Sequence, residues 1–192
     1  MTEPTSLARA LHLQACANRL ANHRLHGAMA VLSPDELHAP RTSFFPSLMR
    51  TLNHVLIVDQ FYVAALHGEA DMRRHFASEN PHAELAPLAA AQAHSDERLV
   101  AWCAGLAPAD VDRPVAIDRD HGRFQHDRVF GVLLHLFQHQ THHRGQVHAM
   151  LSGTRVAPPQ LDEFMMPSEA HLRVAEMAAL GWREEDVYGA GD

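Results

Sequence analysis

Histidine dominates the chemistry available to this chain. Of 192 residues 17 are His, one more than the 16 Lys and Arg combined. Five of them, at 135, 139, 142, 143 and 148, crowd into HLFQHQTHHRGQVH. Helical residues four apart face the same way with Cβ atoms about 5–6 Å apart, so His135/His139 and His139/His143 each offer two imidazoles to one cation. Spacing alone does not choose between the pairs. Orientation does: at ~100° per residue, Val129, Val132, Leu133, Leu136, Val147, Met150 and Leu151 form a core-facing stripe. His143 lies within that stripe and His139 on its flank, whereas His135 and His142 turn toward solvent and His148 to the other side. A single histidine here is more often a partly buried ring bonded to a carbonyl or water than a ligand. Two on a core-facing stripe are harder to explain that way, because each unsatisfied buried nitrogen costs roughly 1–3 kcal/mol.

A third ligand must come from another helix, and His54 in LNHVLIVDQFY, flanked by Val55, Leu56, Ile57 and Val58, is the outstanding candidate. Three neutral imidazoles with an open position form a recognised metal site that lowers the pKa of bound water and polarises a substrate. Such donors suit Zn or Ni best, with Fe or Mn also compatible, over Mg or Ca. There is no HExxH, and the one ExxH, Glu79 to His82, contains Pro81, which excludes the mid-helix di-iron motif. Gly-rich phosphate loops and a GxSxG elbow are absent. Asp59 is a candidate acceptor for a ligand histidine, although such a residue more often pairs with an arginine or caps a neighbouring helix, and Arg19, Asn22 and Arg24 are at hand. No catalytic side chain is singled out.

These residues need elements to hold them. Thr5 to Leu32, with apolar residues at threes and fours and no proline inside, predicts a long amphipathic helix, stopped by Ser33-Pro34-Asp35; the polar stretch to Pro46 is then a connection. A second helix over Phe45 to Leu66 is apolar nearly all round and therefore central. Residues 68–83 read as a loop with room for a short helical turn, and Glu84 to Leu106 as a third helix. Val111 to Gln125 predicts a β-hairpin turning at Asp120-His121-Gly122. Asp127 is the expected N-cap of the histidine-dense helix, which ends at Ser152-Gly153. After Pro158-Pro159 comes an irregular segment to Pro167, then a helix from Ser168, its N-cap, to Leu180. The expectation is an all-α fold, a four-helix bundle with a small β-hairpin insertion and a short C-terminal helix, as a single domain over 1–192 with its core at about 5–166. In VAPPQLDEFMMP, Phe164, Met165 and Met166 are candidates to wall a substrate pocket, with plain core packing the commoner use of such residues.

Composition bounds the rest. A chain of 21.3 kDa with 46% apolar and 20% charged residues suits one compact globular domain. The formal charge is −7, the wrong sign for neutralising phosphates, so no nucleic-acid partner is expected. Cys16 and Cys103 lack paired spacing, and MTEPTSLARALHLQ has no apolar core for a signal peptide, so a cytoplasmic location is expected. Val55 to Leu66, interrupted by Asp59 and Gln60, falls short of the ~20 residues a membrane helix needs, and no membrane association is expected.

The ANHRL of the first helix, LNHVLIVDQFY, the hairpin, and HQTHHRGQVHAML followed by PPQLDEF together resemble the DinB/YfiT-like family over about residues 7–166. The H-x-x-x-H-R-G-Q pattern at 139–146 joined to Asn53, His54 and Asp59 is what makes the resemblance specific. It implies a four-helix bundle whose metal ligands are His54, His139 and His143, the trio that orientation and burial also favour. Some members of that family resemble transferases or isomerases that use a low-molecular-weight thiol such as bacillithiol or mycothiol. The expectation is a divalent-metal-dependent enzyme whose His-triad ion activates water or such a thiol for attack on, or transfer to, a small molecule. The alternative is a metal-binding stress-response protein without turnover. A homodimer is expected as well, from the resemblance and from the apolar surfaces of the second and fourth helices.

Overall fold

The computed structural model describes residues 6–162 and 166–189. Four long helices carry it: α1 (Leu7–Met29), α3 (Leu48–Leu66), α4 (Leu85–Ala104) and α5 (Val129–Leu151). Serine hydroxyls start two of them, since the side chain of Ser6 accepts from the Arg9 N–H and that of Ser47 from the Arg50 N–H, as N-caps do. As its sequence predicts, α3 is buried along almost its whole length. α1 packs chiefly on α4 and α3 on α5, with α3–α4 and α1–α5 contacts closing the ring. No helix among the described residues is long and apolar enough to cross a membrane.

Two apolar clusters, one at each end, fix the chain's directions. One joins Leu11 and Ala15 of α1, Leu66 of α3, Cys103 of α4 and Val129 of α5. The other joins Met29, Leu48, Leu85 and Leu151. Hence α3 and α4 run the same way, opposite to α1 and α5, and residues 67–84 must return along the length of the bundle. That crossover carries a 3-10 turn over Met72–Phe76, the short turn for which its sequence left room. Asn53 of α3 pins its far end: Asn53 Nδ2 donates to the His82 carbonyl at 2.9 Å, and the His82 N–H donates to Asn53 Oδ1 at 3.0 Å.

The hairpin is present, with β1 (Pro114–Asp118) antiparallel to β2 (Phe124–Arg128) and Asp118 opposite Phe124. Asp120, His121 and Gly122 all adopt positive φ at its turn. Val115 and Ile117 of β1 enter the apolar cluster at that end of the bundle, so the hairpin seals it.

Three local expectations are corrected. Residues 34–38 form a short helix, α2 (Pro34–His38), because Ser33 and Glu36 make a reciprocal capping box with Pro34 in the first turn. Asp127 does not cap α5. It stays in β2 opposite Val115, its Oδ2 accepting from Gln125 at 2.6 Å, and the residue before α5 is Arg128. Ser168 does not cap a helix either: Pro167–Leu172 is a 3-10 segment, and α6 (Val174–Ala179) starts only after Arg173. The wholly buried Arg173 guanidinium pairs with Glu184 of α7 (Glu184–Val187) and lies 4.2 Å over the Tyr188 ring, which holds the chain at that break.

Candidate metal centre

Facing α3 and α5 bring His54, His139 and His143 together, each offering one ring nitrogen within 4.8 Å of the others. His54 Nε2 and His139 Nε2 are 3.0 Å apart, and the ring centroids of His139 and His143 are 4.4 Å apart. The i, i+4 spacing sets the second pair; the first needs the two helices packed in register. His143 is buried, His139 and His54 half-buried, and His135 and His142 exposed, as the stripe on α5 predicts. His148 points elsewhere, its Nε2 3.0 Å from the Pro159 carbonyl.

Electrostatics favour unprotonated rings. Burial, then the neighbouring imidazoles, push His139 down to about 3. Burial followed by the proximity of His143 takes His54 to about 4. His143 is lowered by burial, in part opposed by its bond to Gln146. Three neutral imidazoles therefore converge with no carboxylate among them.

The surroundings orient these rings. His143 Nδ1 lies 2.8 Å from Gln146 Oε1. An amide oxygen only accepts, so Nδ1 carries the proton and the Nε2 lone pair is left for a cation. Gln146 Nε2 in turn donates to His142 Nε2 at 3.2 Å, fixing which way the amide points. Phe45 stacks on His54 with ring centroids 4.3 Å apart. Zn–N bonds are about 2.0–2.1 Å, so tetrahedral ligand nitrogens sit roughly 3.3 Å apart; the 3.0 Å pair is close to that already, and side-chain rotation covers the rest. The residues present fit a divalent transition ion.

The triad borders a cavity of about 480 Å3, walled by Phe44, Phe45, Phe61, Tyr62 and Phe76, with His135, His142 and Arg119 also on its lining. Sequence reasoning missed Gln146 and these aromatic walls. Gln146 was discoverable from its i+3 spacing to His143. Phe76 was not, since it arrives on the crossover.

Asp59 takes neither expected role. It accepts from Gln92 of α4 at 2.7 Å and makes no hydrogen bond with a triad histidine or with Arg19, Asn22 or Arg24. Those three bond instead to Glu97, Asp96 and Glu176. Of the proposed pocket wall, Phe164 and Met165 lie outside the described residues, and Met166 is exposed and does not border the triad's cavity. The chain leading there, Gln160 to Asp162, lines a different cavity of about 380 Å3 beside Ala17, Ala21 and Gly145.

A family model described as the DinB family matches residues 9–177. A crystal structure of a DinB-like protein from Bacillus cereus is similar in fold, with a TM-score of 0.55 and 15% identity over 73% of this chain and 89% of that one. No curated protein matches the chain.

Proposed function

Because this chain belongs to the DinB family, we propose that His54, His139 and His143 hold one divalent transition metal ion, zinc or nickel, in a metal-dependent enzyme. One observation carries this reading: three imidazoles from two helices, all held unprotonated, converge beside an open cavity. When bound, such an ion supplies Lewis acidity, easing loss of a proton from a water or thiol and sharpening its attack on an electrophile. The chain's own contribution is positional. Gln146 fixes the tautomer of His143, Phe45 holds the His54 ring, and the aromatic walls give a substrate apolar surface beside the triad. A low-molecular-weight thiol as nucleophile and a small-molecule electrophile are the proposed reactants, and a homodimer the proposed assembly.

Elemental analysis of the purified protein tests the metal: about one ion per chain is expected, with His54→Ala and His143→Ala each losing most of it. His142→Ala and His148→Ala should keep it. Full occupancy in both triad variants overturns the assignment. Thiol transfer to an electrophile, assayed with several thiols and compared with His139→Ala, tests catalysis. A fully loaded protein without turnover leaves a metal-binding protein instead. Sedimentation at micromolar concentration tests the assembly, and a stable species of about 21.3 kDa overturns the homodimer.

A further inference from the structure

The cavity beside the triad is one-sided in charge. Five aromatic rings wall it, and among the described residues no acid borders it and Arg119 is its one side chain with a permanent charge. The turn end of the hairpin brings that guanidinium in. Arg119 Nε donates to Gln125 Oε1 at 2.9 Å, Nη2 reaches the Tyr62 hydroxyl at 3.5 Å, and the guanidinium carbon lies 6.0 Å from the Tyr62 ring centre. Both partners are neutral. Two arginines nearby are neutralised, Arg73 by Asp120 at 3.0 Å and Arg128 by Asp112 at 2.9 Å, whereas Arg113 lies over the Trp102 ring and Arg123 donates to the Arg119 carbonyl, neither of them on the cavity lining. Among the described residues no carboxylate pairs with Arg119, so its charge is positioned without being neutralised.

From Arg119 the lining runs continuously to the triad. The Tyr62 ring is 5.0 Å from that of His135, which is 6.1 Å from that of His139. On the other wall, Phe61 contacts Phe76 at 4.9 Å. We infer that this site takes a small organic anion with a flat apolar body, of which an aromatic carboxylate is the simplest case, its anionic group on Arg119 and its body against Phe61, Tyr62 and Phe76. The inference rests on reading the cavity as the substrate site of the metal centre. A neutral apolar molecule would bury the guanidinium charge without a counter-charge, and a cation would be repelled. A carboxylate matches the planar fork of donors and neutralises the charge. The cavity volume falls within the ~300–1,000 Å3 of small-molecule sites.

Calorimetric titration with 2-naphthoate and its neutral counterpart 2-naphthalenemethanol tests this on wild-type protein, both stripped of metal and reloaded with zinc, and on Arg119→Gln and Arg119→Lys. The naphthoate should bind about tenfold more tightly than the alcohol in both wild-type forms. Arg119→Gln should bring the two to parity with zinc content unchanged, while Arg119→Lys, which keeps the charge, should retain part of the preference. Equal binding of the two probes to wild type, no binding of either, or a preference that survives Arg119→Gln overturns the inference. So does a preference seen only with zinc and indifferent to Arg119, which would place the carboxylate on the ion. Zinc and nickel content read on the same samples separates the two proposals. Naphthoate selectivity without uptake of zinc or nickel keeps this inference and ends the metal assignment; metal uptake without selectivity does the reverse.

Discussion

Gln146 shows how a residue outside the triad can set the state of one of its rings. Its amide oxygen sits 2.8 Å from His143 Nδ1, which makes Nε2 the free donor. Gln146→Leu should keep the fold and weaken zinc binding about 10–100-fold, the usual cost of removing such a partner. An unchanged zinc affinity by competition with a chelator would show that packing alone orients His143. The same neighbourhood sets a pH response. With His139 near 3 and His54 near 4 in the folded chain, protons do not compete for those rings until well below the ordinary imidazole value of about 6.5. With His143 lowered as well, zinc affinity should therefore fall less steeply below pH 7 than it would for three rings titrating normally. The meeting of the three rings was legible from sequence, because His143 falls on the apolar stripe of α5 and His54 amid an apolar run. Gln146 was less so, since its i+3 spacing puts the amide within reach of His143 without showing that the ring's tautomer depends on it.

At the scale of elements, the crossover from α3 to α4 decides the shape of the site. It must span the bundle, and on the way it delivers Phe76 to the cavity. Two hydrogen bonds from Asn53 hold its far end. Asn53→Ala leaves the His82 N–H and carbonyl without that partner, at a cost of roughly 1–3 kcal/mol, and should raise amide exchange across residues 77–84 before it does so in α3. Exchange rising equally in both would mean that the side chain supports the helix and not the crossover. The long helices were readable because their signals are local: Ser6 and Ser47 each accept from an N–H three residues on. Asp127 and Ser168 carry the same kind of signal and do not act on it. Strand pairing claims the first, and Arg173, buried against Glu184 eleven residues away, moves the helix start past the second. Those outcomes depend on partners distant from the local window.

Across the whole molecule, the two apolar clusters are separated by a buried polar layer to which all four long helices contribute. Asn18 and Asn22 come from α1, Asp59 from α3, Gln92 and Asp96 from α4, and Gln140 and Arg144 from α5. Arg144 donates to Asn18, to Asn22 at 3.2 Å and to Gln140 at 3.0 Å. Gln92 bridges the carboxyls of Asp59 at 2.7 Å and Asp96 at 3.0 Å. The sequence held these residues in view one at a time, but only the register of four helices makes them a layer. Two buried acids share Arg144, because Arg19, the other buried arginine near Asp96, is paired with Glu97 at 3.2 Å, so one carboxyl lacks a full counter-charge. Burial lifts Asp96 to about 6, against the amide bonds and arginines that pull it down, and raises Asp59 well above the ordinary value. A carboxyl whose folded pKa exceeds its unfolded one stabilises the fold below the unfolded value, near 4, and loses that contribution as pH rises through about 6. Asp96→Asn removes this titration while leaving every histidine in place. The variant should thus be most destabilised relative to wild type near pH 4 and least near pH 7, read as the difference in melting temperature at each pH. An ion pair with Arg144 that dominated the layer would give the opposite trend, with the largest loss near pH 7, and that result would place Asp96 as the charged partner of the buried arginine and Asp59 alone as the protonated acid.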